Sequence, residues 1–505
     1  MTTTGEQSLW LGDTATMPGH DPLSGARRAD VAVIGGGIAG LTTALSLRRR
    51  GLDVVVLEAA RVSGGVSGNN TAKVTALQST MYTTITKEHG TATAAKYASA
   101  ARAGVDLVAE LATTIDCELR RAPAATFAYT EDERDTVLRE AEAAAAAGLP
   151  VEQVDQLDLP FPTYGAVRLP EQVVLHPVKY VRGLAAALVA AGGQVFEHSR
   201  VRHVSATAPY SVRTADGEVT ADHVVVATHY PILDRGLFFA RLEAERSYCV
   251  AARLRSGRPP AELAISAGSP AWSIGHHGDL LIVGGQGHQA GDRGVDDSRY
   301  AALADFATTH FDVEEITHRW SAQDARAYDQ LPMVGSYLPG AGRLWVATGF
   351  AKWGLAMGTV AGAVLADRIT GEETPHAEVF APHRVSLRST PTLVRQNAKV
   401  AKDLVGDRFT PADTEDPRGE ADAAGPHLPV DTARVLPDGR GKKGVYRDRT
   451  GKLHAVSLRC THMGCLVRFN GAERSWDCPC HGSRFDVDGT VLEGPAVDPL
   501  PKREP

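Results

Sequence analysis

A chain of 505 residues is longer than one hydrophobic core sustains and predicts about three domains at roughly 150 residues each. Its 43% hydrophobic and 22% charged residues are those of a globular protein and exclude disordered and collagen-like classes, while a formal net charge of −7 gives no electrostatic support for nucleic-acid binding. No stretch approaches the ~20 apolar residues of a membrane span and residues 1–20 lack the pattern of a secretory leader, so a cytoplasmic protein without a membrane span is expected.

Residues 1–28 form a polar arm, broken by Pro and Gly, with no assignable pattern. Residues 30–34 (DVAVI) then read as a buried strand, 38–50 as a helix closed by Gly51, and 53–57 (DVVVL) as a second buried strand, together a βαβ unit. The triplet Arg48, Arg49 and Arg50 falls in that helix's last turn, where cations suit the dipole, so it is not read as a binding patch. From 91 to 150 the pattern is Ala-rich and helical, closing at Gly148 and Pro150. A helix is predicted over 175–191, short strands over 194–196, 201–206 and 223–227, and mostly β structure to about 325. Charges and prolines over 371–430 place a linker at 386–424, with a helix near 393–404.

Between the first strand and helix lies Gly35-Gly36-Gly37-Ile38-Ala39-Gly40, and Glu58 ends the second strand. In that context G-x-G-x-x-G is a dinucleotide site. Gly35 permits the tight turn, Gly37 lets the backbone approach a pyrophosphate, Gly40 lets helix and strand close, and the helix N-terminus attracts phosphates. Glu58 would accept ribose hydroxyls. Gly284-Gly285-Gln286-Gly287 runs on into polar sequence and reads as a β-turn, not a second nucleotide loop.

The run 35–76, with Ser67-Gly68-Asn69-Asn70-Thr71-Ala72-Lys73, resembles the D-amino-acid-oxidase-like FAD oxidoreductases, which include glycine and sarcosine oxidases. So do residues 329–335 (DQLPMVG) and 349–354 (GFAKWG). The resemblance spans about 29–385. It implies an α/β, Rossmann-like FAD domain assembled from 29–90, 170–235 and 325–370, with an interleaved α+β substrate domain from 91–169 and 236–324. It also implies that Asn70, Thr71, Ala72 and Lys73 meet the cofactor, that Val201 lies near the adenine, and that Gly349, Lys352, Trp353 and Gly354 border the isoalloxazine. Asn69, Asn70 and Ala351 stand where some relatives attach flavin through His or Cys, so noncovalent FAD is expected. The family's catalytic side chains do not carry over. Lys352, Trp353, Gln323 and Asp324 are the candidates, and His229, His276 and His277 read as structural.

Four of the six cysteines lie between 460 and 480, a clustering that favours metal ligation over general stapling. Cys460-Thr461-His462-Met463-Gly464-Cys465 is followed by Cys478-Pro479-Cys480-His481-Gly482-Ser483. Each loop offers one Cys and one His, Cys460 with His462 and Cys478 with His481, which suits two irons in a [2Fe–2S] centre. Zinc also accepts Cys₂His₂, though usually with C-x₂₋₄-C and H-x₃₋₅-H spacing. The doubled box resembles Rieske proteins of the respiratory type. That resemblance implies a small all-β domain at 425–505, a disulfide between Cys465 and Cys480, Ser483 bonded to a bridging sulfide, and Pro495 in a loop covering the cluster. Phe485 replaces the family's Tyr, which argues against the highest potentials.

The two halves together predict an oxidoreductase that oxidises a small amine or amino acid at FAD and passes electrons singly through the cluster to an unidentified acceptor, a protein among the candidates. An O₂-using oxidase with an accessory cluster, and an electron-transfer component reduced by a partner protein, are the alternatives.

Overall fold

The computed structural model describes residues 6–340, 342–409, 428–439 and 441–505, with the side chains of 405–409 excepted. The first strand, Gly25–Ile34, pairs in parallel with Val54–Leu57, Val31 lying opposite Val54, and the helix Ile38–Arg49 crosses between them. Residues 31–34 and 54–57 are buried throughout, as a parallel strand covered on both faces requires. Gly217–Val226 and Leu344–Thr348 extend this sheet in parallel on one side and Gln194–Phe196 on the other, with Met333–Ser336 antiparallel at the edge. Helix Gly354–Thr370 packs on helix Ile38–Arg49 through small residues: a Cβ on Gly362 would lie 2.7 Å from the Cβ of Thr42.

A second, mixed sheet of nine strands runs from Val313–Ala327 through Leu242–Leu254, Leu280–Gln289, Trp272–His277, Leu263–Ser266, Arg120–Phe127 and Ala166–Val174 to Lys73–Val74, with Glu152–Val154 alongside. Three sequence expectations are corrected here. Residues 91–150 are not helical throughout, because Arg120–Phe127 is a strand between the helices Thr91–Ala112 and Arg134–Ala146. Its sequence, RRAPAATF, carries almost no β-branched signal, and pairing with Leu263–Ser266 and Ala166–Val174 decides its state. Gly284–Gly287 is not a turn but the middle of strand Leu280–Gln289. The first strand begins inside the predicted arm, and the arm itself forms the helix Leu9–Asp13, which buries Leu9 and Trp10 and sends the Trp10 indole N–H to the carbonyl of Asn70 at 2.8 Å.

The predicted helix at 175–191 is Pro177–Ala190, with Pro at its first position and the His176 ring accepting the Lys179 N–H as N-cap. The helix expected near 393–404 is Thr390–Phe409, preceded by the described residues 386–389 of the expected linker, and the linker's remainder, 410–424, lies outside the described residues. Beyond it, Thr432–Asp438, Gly441–Arg447 and Leu453–Ser457 form one antiparallel sheet, and Arg468–Asn470, Ser475–Asp477, Arg484–Phe485 and Val491–Glu493 a second. Trp476 and Phe485, both fully buried, centre that region's core. Among the described residues no helix is long and apolar enough to cross a membrane.

Candidate functional site

The carboxyl ends of the parallel strands, the second sheet and the last strand of the C-terminal region enclose a cavity of about 1250 Å³. That exceeds the roughly 300–1,000 Å³ of ordinary small-ligand pockets and leaves room for a dinucleotide with a small substrate. Gly35, Gly37, Ile38, Ala39, Glu58, Asn70, Thr71, Lys73, Val201, Lys352, Trp353 and Gly354 all line it. Gly40, Ala72 and Gly349 do not: Gly40 keeps the role expected of it, close packing of helix on strand, while Ala72 and Gly349 were expected at the cofactor. Gly40 sits behind the loop, where a Cβ would fall 2.0 Å from the carbonyl of Gly35, Ala72 packs among Leu9 and Trp10, and a Cβ on Gly349 would meet Ala327 and Leu242.

Gly35 adopts φ +113° and passes so close to Ala227 that a Cβ would be 2.4 Å from its carbonyl oxygen. The Glu58 carboxylate accepts the Gly36 N–H at 2.7 Å and the Ala60 N–H at 2.9 Å; burial raises its pKa and these two donors oppose the rise. Gly37 caps the helix with only Ser67 opposite, leaving an open cradle at the helix N-terminus of the kind that receives a pyrophosphate.

On the facing wall, Lys352 Nζ donates to Asp324 Oδ2 at 2.7 Å and to the Ser247 hydroxyl. Ala351 and Lys352 lie consecutively in the left-handed region, at φ 45° and 77°, a strain that costs ~1–3 kcal/mol per residue and concentrates at functional sites. Lys73 is buried, donates to the carbonyl of Ala264 at 2.9 Å and to Ser273 Oγ at 2.6 Å, and desolvation drags its pKa down to about 7. Burial likewise pushes the neighbouring Cys249 thiol up to about 12. Trp353 is both cavity wall and core ring. Gln323, a catalytic candidate, is not at the cavity: its amide donates to the carbonyl of Gly482 at 2.7 Å.

His229 accepts the Ala325 N–H at 3.1 Å and serves as a strut, with burial lowering its pKa. The His276 ring bonds the carbonyl of Gly278. Asp13, His176 and His277 gather elsewhere with metal-like spacing. There the His176 Nδ1 already accepts a backbone N–H, so its Nε2 keeps the proton and has no lone pair to offer an ion.

In the C-terminal region Cys465 and Cys480 are joined by a disulfide. Cys460 and Cys478 are free thiols that share a hydrogen bond; the N–H groups of His462 and Met463 and the Ser483 hydroxyl reach Cys460, and those of Cys480 and His481 reach Cys478. Nδ1 of His462 and Nδ1 of His481 are both buried without a hydrogen-bond partner, on rings 5.0 Å apart. Two sulfurs ringed by donors beside two orphaned imidazole nitrogens fit a two-thiolate, two-imidazole [2Fe–2S] group. Ser483 Oγ also accepts the Ala496 N–H at 3.0 Å, next to the buried Pro495.

Both regions meet at the cavity. Leu492, Glu493, Gly494 and Val497 form part of its wall, and Arg200 donates to the carbonyl of Val491 at 3.0 Å. Glu493 lies between Arg246 at 2.8 Å and Arg484 at 2.7 Å. Burial would push its carboxyl up, and the two guanidiniums hold it down at about 2. Sequence reasoning missed Arg200, Glu493 and Arg246, because the contacts of Arg200 with Val491 and of Arg246 with Glu493 span hundreds of positions and leave no local signal.

Residues 30–368 match the DAO family, FAD dependent oxidoreductase, and residues 435–504 match the Rieske [2Fe-2S] domain. The chain belongs to that family of FAD-dependent oxidoreductases and carries a C-terminal Rieske domain, so its cofactors are FAD and a [2Fe–2S] cluster. Over nearly its whole length it is similar to the Rieske 2Fe-2S iron-sulfur protein YhfW of Bacillus subtilis (strain 168), 31% identical over 502 residues covering 98% of this chain and 97% of the relative. It is 34% identical over 216 residues to gamma-glutamylputrescine oxidoreductase of Escherichia coli (strain K12), covering 41% of this chain and half of that one. The fold is also that of glycine oxidase from Geobacillus kaustophilus, with a TM-score of 0.60 at 21% identity over 71% of this chain and 99% of that one.

Proposed function

We propose that this chain oxidises a small amine or amino acid and sends the electrons one at a time through its Rieske cluster to an acceptor outside the chain. The observation that carries the reading is the shared cavity, bounded by the dinucleotide loop at Gly35–Ala39 and by Leu492, Glu493 and Gly494 of the C-terminal region. FAD, held noncovalently, supplies a two-electron acceptor able to release electrons singly, and a cluster on Cys460, His462, Cys478 and His481 carries one at a time. Lys352, steadied by Asp324 and Ser247, offers a cation to a substrate carboxylate. Lys73, with its pKa near 7, can accept the proton a substrate ammonium must lose before its C–H bond is oxidised. The Escherichia coli oxidoreductase and the Geobacillus oxidase, named for a putrescine derivative and for glycine, support an amine or amino-acid donor.

The test is an anaerobic screen of amines and amino acids, following flavin bleaching together with the cluster's paramagnetic signal. A substrate should reduce both centres in the intact protein and only the flavin in Cys478→Ser. With the same substrate in air, peroxide formed stoichiometrically by that variant would favour an oxygen-using oxidase. Cluster reduction that waits for an added reductase would favour an electron-transfer component.

A further inference from the structure

The histidine edge of the cluster site is engaged from across the molecule. His462 Nε2 meets Asp234 Oδ1 at 2.7 Å, although the two residues are 228 positions apart. Phe239, from the same loop as Asp234, sets its ring edge-on against both imidazoles, 5.5 Å from His462 and 4.9 Å from His481. That loop is held independently of the cluster site. The Tyr337 hydroxyl donates to the carbonyl of Leu233 at 2.6 Å, Arg235 donates to those of Val204 and Ser205 at 2.8 and 2.9 Å, and the Leu237 N–H closes a turn on Asp234 at 3.1 Å. On the other flank Gly482 packs so tightly that a Cβ there would lie 2.4 Å from the Cβ of Ala244.

The chemistry of the His462 ring is consistent with this contact. Nδ1 is buried and unpartnered while Nε2 faces a carboxylate. Donation from Nε2–H leaves the lone pair on Nδ1, as a metal-bound imidazole requires, and a carboxylate on the far nitrogen of a ligating histidine fixes its orientation and strengthens its donation to the metal.

Resting on the cluster assignment above, we propose that Asp234 is a positioning residue for the [2Fe–2S] group. It clamps the His462 ring to the FAD-containing part of the chain and biases the cluster toward its oxidised state. A stronger donor ligand and an added negative charge both disfavour the more negative reduced form. The histidine edge is thereby used internally, and an external acceptor must approach the cluster domain from another face.

Dithionite titration of the full-length holoprotein at fixed pH, followed by EPR, reads this without any amine substrate. Asp234→Asn and Asp234→Ala should keep FAD and cluster at full occupancy. Both should shift the one-electron reduction equilibrium toward the reduced cluster, Ala by about tenfold, which is ~59 mV, and both should alter the g-values. If the Ala variant loses its cluster, the Asn variant, which can still accept the bond but lacks the charge, decides the outcome. Wild-type potential and wild-type g-values in the variants that hold a cluster would overturn the clamp. Absence of a Rieske signal from the wild-type protein itself would overturn the clamp together with the cluster assignment. An amine screen that fails leaves this measurement unaffected.

Discussion

Lys73 is a buried cation whose partners are a carbonyl and a hydroxyl instead of a carboxylate. Desolvation lowers its pKa from 10.5 to about 7. Between those values the unfolded chain holds a proton that the folded chain has released, so stability rises with pH across that window and is lowest below pH 7. At about 1.4 kcal/mol per pKa unit the full effect is on the order of 5 kcal/mol. Lys73→Met, similar in shape and uncharged, should flatten the rise and leave the protein more stable at pH 7. Urea unfolding at pH 7 and 9.5 checks this, and an equal rise in both proteins would show that Lys73 is not the source. The position of Lys73 after the acidic Glu58 was legible as a cavity residue. Its near-neutral state was not, because strands Leu263–Ser266 and Trp272–His277 supply the environment.

At the scale of elements, helix Ile38–Arg49 seats on its strand through Gly40, while Gly37 faces the open cavity. The two glycines should therefore fail differently. Gly40→Ala drives a methyl against the Gly35 carbonyl and should cost stability, by about 1–3 kcal/mol or more, along with FAD. Gly37→Val meets only Ser67, so it should lower FAD occupancy with the melting temperature of the apoprotein nearly unchanged. The flavin-to-protein absorbance ratio and a thermal melt separate the two cases, and full FAD occupancy in Gly37→Val would remove Gly37 from the site. This βαβ unit was readable because strands buried on both faces appear as continuous apolar runs. Strand Arg120–Phe127 was not, because its state comes from partners far away in sequence.

At the scale of the whole molecule, Glu493 is one of the contacts that join its two regions at the cavity, set between Arg246 of the second sheet and Arg484 of the cluster region. Its folded pKa, about 2 against 4.5, lies below the unfolded one. Its contribution is therefore fully present above pH 4.5 and is lost as pH falls toward 2. Glu493→Gln leaves two buried guanidiniums facing each other with less counter-charge, and should cost roughly 3–5 kcal/mol. A melt followed by both circular dichroism and the cluster's absorbance checks this. An unchanged midpoint by both probes would mean that the clasp contributes nothing.

Sequence alone determined the two cofactor motifs and, through them, the two kinds of domain. The dinucleotide loop and each Cys–His box are built from residues within a few positions of one another, so their chemistry survives without knowledge of the fold. Gln323 shows where that reach ended: it borders Asp324 in sequence, yet its amide turns to Gly482 while Asp324 pairs with Lys352 in the cavity. Only the tertiary structure decided that the cluster region walls the FAD cavity, that Lys73 is near neutral, and that Asp234 meets His462. Each of these depends on desolvation or contact between segments distant along the chain, and burial and long-range packing set both, leaving no trace in local spacing.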